Sequence, residues 1–154
     1  MKTNVKIISA ALTLLCALTL LLSGAQQSTA HNRISSLVGA WRMTSLEVGT
    51  EGNLQPIPYS GQIVFTKAGT MSVQARNSDP DAPDTPYTVN GYEAFYGTYR
   101  VSKSKRSFVV TVESSVAPNL VGQQLTRVFK VTRNTLVLTP ADPAERFRVT
   151  YERM

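Results

Sequence analysis

The chain of 154 residues contains one cysteine, Cys16, and one histidine, His31, and from residue 32 onward neither type occurs. That excludes a cysteine nucleophile and a Cys/His zinc centre from the body of the chain. A histidine general base would have to come from position 31. Long apolar runs are also scarce: residues 7–22 form one, interrupted only by Ser9, Thr13 and Thr19. Beyond it no long stretch keeps a helical period. Any chemistry must rest on carboxylates, Tyr, Lys, Arg, Ser or Thr, and neither a metal nor a cofactor is expected.

The apolar run is preceded by Lys2 and Lys6 and followed by Ser23-Gly24-Ala25 and Ser28-Thr29-Ala30. Positive start, apolar middle and small residues at the end are the layout of a secretory signal peptide. The 16 residues of the run fall below the roughly 18–20 that cross a bilayer comfortably. An uncleaved anchor is therefore the weaker alternative, and the mature chain is expected to have no membrane span. A lipoprotein is weaker still, because Cys16 follows Leu14-Leu15 where a small residue is needed. The expectation is export to the periplasm or medium, with cleavage near Ala25 or Ala30 and one domain over residues 31–154. With Lys2 and Lys6 removed, 14 of the 16 basic residues face 10 acids, a charge of about +4. The cluster Lys103-Ser104-Lys105-Arg106 has no interleaved aromatics to stack bases. It reads as a solvated hairpin tip, and no nucleic-acid partner is expected.

Short runs of alternating apolar and polar residues dominate the rest. They cover residues 41–48, 61–67, 70–76, 91–102, 107–113, 123–131, 136–139 and 146–153, with a short helical turn expected over 31–38. Residues 77–90 hold three prolines and three aspartates and cannot be a central strand. A loop that long often covers or forms a binding site. Eight sequential antiparallel strands with one apolar face close most simply into an up-and-down barrel, which removes exposed edges. The predicted class is all-β, an eight-stranded antiparallel barrel; a β-sandwich with a solid core is the alternative.

Seven pieces carry a resemblance: Leu37-Val38-Gly39-Ala40-Trp41, Gly61-Gln62-Ile63-Val64-Phe65, Gly69-Thr70-Met71-Ser72-Val73, Phe95-Tyr96-Gly97-Thr98-Tyr99, Pro118-Asn119-Leu120-Val121-Gly122, Arg127-Val128-Phe129 and Tyr151-Glu152-Arg153. In this order they resemble the lipocalin-like domain family, small proteins distinct from the classical lipocalins. The resemblance implies a calycin-like barrel with a small-molecule pocket. In many members of that family the strand before the Pro-Asn loop carries histidine. Here it reads Phe108-Val109-Val110-Thr111-Val112-Glu113, which weakens any analogy to catalysis.

Trp41 and Arg153 are expected to pack against each other at the closed end, guanidinium over indole. Arg127 shares parity with Leu125, Phe129 and Val131 and so should face inward. A buried guanidinium needs a partner. Glu113 is the internal candidate, given a strand bulge near Ser107 or Glu113; a ligand carboxylate or carbonyl is the other. Gly97 within a strand marks a bulge or a barrel corner, and Tyr99 beyond it shares a face with Phe95. Asp79, Asp81 and Asp84 lack the glycine and bidentate glutamate of a calcium loop and read as a solvated turn, while Asn119 should bond loop backbone.

The proposed ligand-binding set is Phe65, Met71, Phe95, Tyr99, Arg127 and Phe129. The leading expectation is a monomer or weak dimer that binds a small apolar or amphipathic molecule, with no catalytic residues. The alternatives are a cofactor-free isomerase or cyclase using Tyr99, Arg127 and Glu113, and a packed envelope accessory protein without ligand.

Overall fold

The inward alternation that begins at Trp41 continues around a closed barrel. The computed structural model describes residues 36–154 apart from Glu51, Lys103 and Lys105. The expected signal segment and most of the expected N-terminal turn lie outside the described residues. At the end of that turn Ser36 and Leu37 are helical, and Leu37 is fully buried.

Among the described residues there are nine strands: β1 (Gly39–Thr50), β2 (Asn53–Ile57), β3 (Tyr59–Phe65), β4 (Thr70–Asn77), β5 (Tyr92–Ser102), β6 (Ser107–Ser115), β7 (Gln124–Val131), β8 (Thr135–Pro140) and β9 (Phe147–Arg153). All pairings are antiparallel, in the order β2-β1-β3-β4-β5-β6-β7-β8-β9, and β9 returns to β1. β2 and β3 are two halves of one stave separated by Pro58. The far half of β1 pairs with β2 and the near half with β3. The barrel therefore has the eight staves expected, and β2 is the element that sequence alone does not show. Pro56 breaks the strand signal there. It is tolerated because β2 pairs on one side only.

Two bulges set which residues face inward. Between β1 and β9 the register shifts between Met43 and Ser45. The extra residue, Thr44, bonds the Thr150 carbonyl at 3.1 Å. One added residue reverses the alternation, so Trp41 and Met43 before the bulge and Leu46 and Val48 after it share the inner face. Between β5 and β6 the ladder steps from Tyr96–Ser114 to Gly97–Val112, leaving Glu113 unpaired. A Cβ on Gly97 would lie 1.9 Å from the Thr111 carbonyl oxygen. This is the bulge the glycine signals; Glu113, next after inward Val112, stays exposed.

The seam between first and last strands is latched on both faces. Inside, Arg153 stacks on Trp41 with its guanidinium carbon 3.9 Å from the ring centre. Its Nε donates to the Arg133 carbonyl at 2.7 Å, Nη1 to Val38 at 3.0 Å and Nη2 to Ser36 at 2.7 Å. Trp41 Nε1 donates to the Leu37 carbonyl at 2.8 Å. Gly39 has φ +136°, and a Cβ there would meet Arg153 Nη1 at 2.8 Å, so glycine is required on both grounds. Outside, Glu47 pairs with Arg148 through bonds of 2.7 and 2.9 Å, and Arg42 with Glu152 at 3.0 Å. Exposed pairs of this kind contribute little each.

Trp41→Ala should destabilise the fold by roughly 3–5 kcal/mol, measured by urea unfolding. Arg153→Lys should also destabilise it, because an ammonium cannot span three carbonyls in a plane. Wild-type midpoints for both variants would contradict the latch.

Candidate functional site

The barrel interior has a solid half and a hollow half. At the latched end Phe65, Tyr99 and Phe108 meet edge to face, with centroids 5.1 Å (Phe65–Tyr99) and 5.3 Å (Phe65–Phe108) apart, and Phe129 lies 6.4 Å from Phe108. Tyr99 Oη donates to the Thr66 carbonyl at 3.3 Å. Toward the other end a cavity of about 400 Å³ opens, walled by Met43, Leu46, Ile63, Met71, Val73, Phe95, Val110, Leu138 and Val149. Its rim is made by Val48, Ile57, residues 85–88 and residues 144–147. A separate depression around Thr132, Arg133 and Asn134 on the outer surface is too open to enclose a ligand.

Arg127 projects inward from β7, as its parity requires, and is 9% exposed. Its partner is Glu145, not Glu113. Nη2 lies 3.1 Å from Glu145 Oε2, and Nη1 donates to Oε1 at 3.3 Å. Nη2 also donates to Tyr87 Oη at 3.2 Å, and Tyr87 Oη donates to Glu145 Oε2 at 2.5 Å. The guanidinium carbon sits 5.2 Å from the Phe147 ring centre and 5.7 Å from that of Tyr87. Burial first, and the bond to Glu145 second, hold the Tyr87 hydroxyl above its ordinary pKa. This one cation ties the loop before β5 to the loop before β9 across the cavity rim. Asn119 Nδ2 adds a third loop through the Pro86 carbonyl at 3.0 Å. Asp84 accepts the Asn90 and Gly91 N–H groups at 2.9 Å each, which hold its carboxyl below the usual range. Asp79 caps the Asp81 N–H at 3.0 Å, so this loop uses its acids on its own backbone. Among the described residues no His, Cys, Asp and Glu side chains cluster in a way that could hold a metal.

The other charged group on the inner wall is Glu93. By register it lies beside Ala75, which lies beside Gly61, so small residues flank it across two strands. Its carboxyl makes no hydrogen bond and no ion pair among the described residues. It is partly buried and lines the cavity. Desolvation raises its pKa to about 7, against an opposing pull from Arg127. Tyr59 and Tyr151 also line the cavity, and neither hydroxyl has a hydrogen-bond partner among the described residues. Burial first, and the nearby Glu93 second, raise the pKa of both phenols above the ordinary value.

Of the residues proposed from sequence, Met71, Phe95 and Arg127 line the cavity. Phe65, Tyr99 and Phe129 do not; they form the packed floor, because the aromatic cluster fills the latched half. Trp41 and Arg153 take the structural positions expected, and Asn119 bonds loop backbone as expected. Sequence reasoning missed Glu93, Glu145, Tyr87 and Tyr151. Glu93 and Tyr151 had a usable signal: each shares parity with recognised inward residues, Glu93 with Phe95 and Tyr151 with Val149. Tyr87 and Glu145 had none, since both sit in loops.

The sequence model for the lipocalin-like domain matches residues 38–150. Three solved structures are similar in fold. A lipocalin-like protein from Bacteroides uniformis is 15% identical, with a TM-score of 0.49 over 77% of this chain and 99% of that one. A DUF4847 family protein from Bacteroides vulgatus is 11% identical, TM-score 0.44, over 76% and 93%. A redesigned β-barrel is 16% identical, TM-score 0.46, over 79% and 95%. Among curated proteins none matches.

Glu93 should leave a mark on stability. Its pKa rises from 4.5 to about 7 on folding, so between those values the folded state binds the extra proton. Stability then falls as pH rises through this window and is flat above it, by up to about 3 kcal/mol. Glu93→Gln should remove that fall, and so be more stable than wild type at pH 8 but not at pH 4. An equal gain at both pH values, by thermal unfolding, would contradict the assignment.

Proposed function

Because the chain belongs to the lipocalin-like domain family, we propose that it is an exported binding protein that holds one small, mainly apolar molecule in the open half of its barrel. The observation that carries this reading is the cavity of about 400 Å³ with aliphatic and aromatic walls and a few polar groups. Ligand pockets begin at about 300 Å³ and have this composition. Export rests on Lys2, Lys6 and the apolar run of residues 7–22.

A second reading has a specific observation in its favour. A carboxyl with a pKa of about 7 facing an apolar cavity suits general acid–base work. A cofactor-free isomerase would then act through Glu93, not through Tyr99 and Glu113, which point elsewhere. Catalysis needs a substrate proton within reach of Glu93, whereas binding needs only the walls, so binding is the simpler reading. A fully packed accessory barrel fits the hollow half poorly.

Native mass spectrometry of protein purified from its own host should show a retained molecule, or uptake of one apolar probe per chain. Val73→Trp, which points a large ring into the cavity, should weaken probe binding at least tenfold while circular dichroism stays that of a barrel. Unchanged binding in that variant would place the site elsewhere. N-terminal sequencing of the exported protein should begin at Gln26 or His31; a mature chain starting at Met1 would remove the export proposal.

A further inference from the structure

We propose that the cavity selects a hydrophobic amine, an apolar body carrying one protonated nitrogen, which Glu93 receives as its counter-ion with the Tyr59 and Tyr151 hydroxyls beside it. This rests on the reading of the cavity as a ligand site and names the chemical class of its ligand.

The argument is one of unpaired charge. Four charged side chains line the cavity: Glu93, Arg127, Glu145 and Arg146. Arg127 and Glu145 neutralise each other in a two-bond pair closed by Tyr87. Arg146 is exposed at the rim. Glu93 is left on the inner wall with no hydrogen bond and no ion pair among the described residues, and only a longer-range pull from Arg127. A carboxylate in that position is costly unless a cation completes it. A carboxylic acid as ligand would meet Glu93 as a like charge, and would have to displace Glu145 to reach Arg127. An ammonium instead brings three donors to a site that offers a carboxylate and two phenol oxygens free to accept.

The groups facing Glu93 determine how the site responds to pH. Arg127 from β7, Tyr59 from β3 and Tyr151 from β9 interact with Glu93 electrostatically, Tyr87, Glu145 and Arg146 line the same cavity, and Asp84, in the loop before β5, acts on Tyr59. Asp84 is held ionised by backbone N–H groups, and the three tyrosines are held protonated. Glu93 is thus the group that changes charge near neutrality. It is neutral in much of the empty protein at pH 7 and ionised in the complex, so amine binding should release a proton and strengthen as pH rises from 5 to 8.5.

Calorimetric titration of decylamine, decanol and decanoic acid into the protein as its host produces it makes the test. At pH 8.5 the amine should bind about tenfold or more tighter than the alcohol, and the acid weakest. The preference for amine over alcohol should vanish at pH 5 and in Glu93→Gln, which keeps its affinity for decanol. The Glu93 carboxyl, followed by carbon NMR, should titrate lower with amine bound. Equal affinity for amine and alcohol in the wild type, tightest binding of the acid, or an amine preference that survives Glu93→Gln would each overturn the proposal. The first two outcomes would leave the cavity as a ligand site. If none of the three probes binds, that reading falls too, and the proposal with it.

Discussion

The guanidinium of Arg153, stacked on Trp41 and bonded to three backbone carbonyls, pins the seam where β1 pairs with β9 and the sheet closes on itself. A closed eight-staved barrel fixes its own diameter, and that diameter leaves room for packed side chains or one small ligand. Here both outcomes occur in one molecule. Bulky aromatics fill the latched half, and the opposite half stays hollow where its walls are mostly Met, Val, Leu and Ile.

The two bulges link this closure to the cavity. Without Thr44 the second half of β1 would turn Leu46 and Val48 outward and Glu47 inward, placing another acid in the interior. Without the bulge at Glu113, β6 could not present Phe108, Val110 and Val112 inward against β5. The apolar lining thus depends on two single-residue irregularities. The charged groups follow a division of labour: Arg127 is consumed in holding the rim loops together, and Glu93 is left facing the void.

The barrel was legible in the sequence because period-two alternation survives in almost every strand, from Ile63 and Phe65 to Phe147 and Val149. The Trp41–Arg153 contact was legible from the two ends of the resemblance. β2 was not, since Pro56 and Pro58 interrupt a short strand whose pairing is entirely non-local. The bulge at Glu113 was anticipated, but it does not bring the carboxylate inward: Glu113 keeps the outward parity of Val109 and Thr111, and Glu145 from a distant loop takes its place on Arg127. Depth along the barrel was also hidden. Alternation says which face a residue occupies, but not whether it lies in the packed floor with Phe65 and Phe129 or on the cavity wall with Met71 and Phe95. Loop partners such as Tyr87 and Glu145 carry no periodic signal at all.

The central claim is a barrel solid at one end and hollow at the other. The four methionines (Met1, Met43, Met71 and Met154) report on it directly, because Met43 and Met71 line the cavity while Met154 is exposed beyond the latched end. Carbon-13 methyl spectra recorded while a small apolar molecule such as cyclohexane is titrated should show the Met43 and Met71 methyls shifting together and saturating, with Met154 unmoved. Methyls of Met43 and Met71 that do not respond, or a response confined to Met154, would contradict a hollow half.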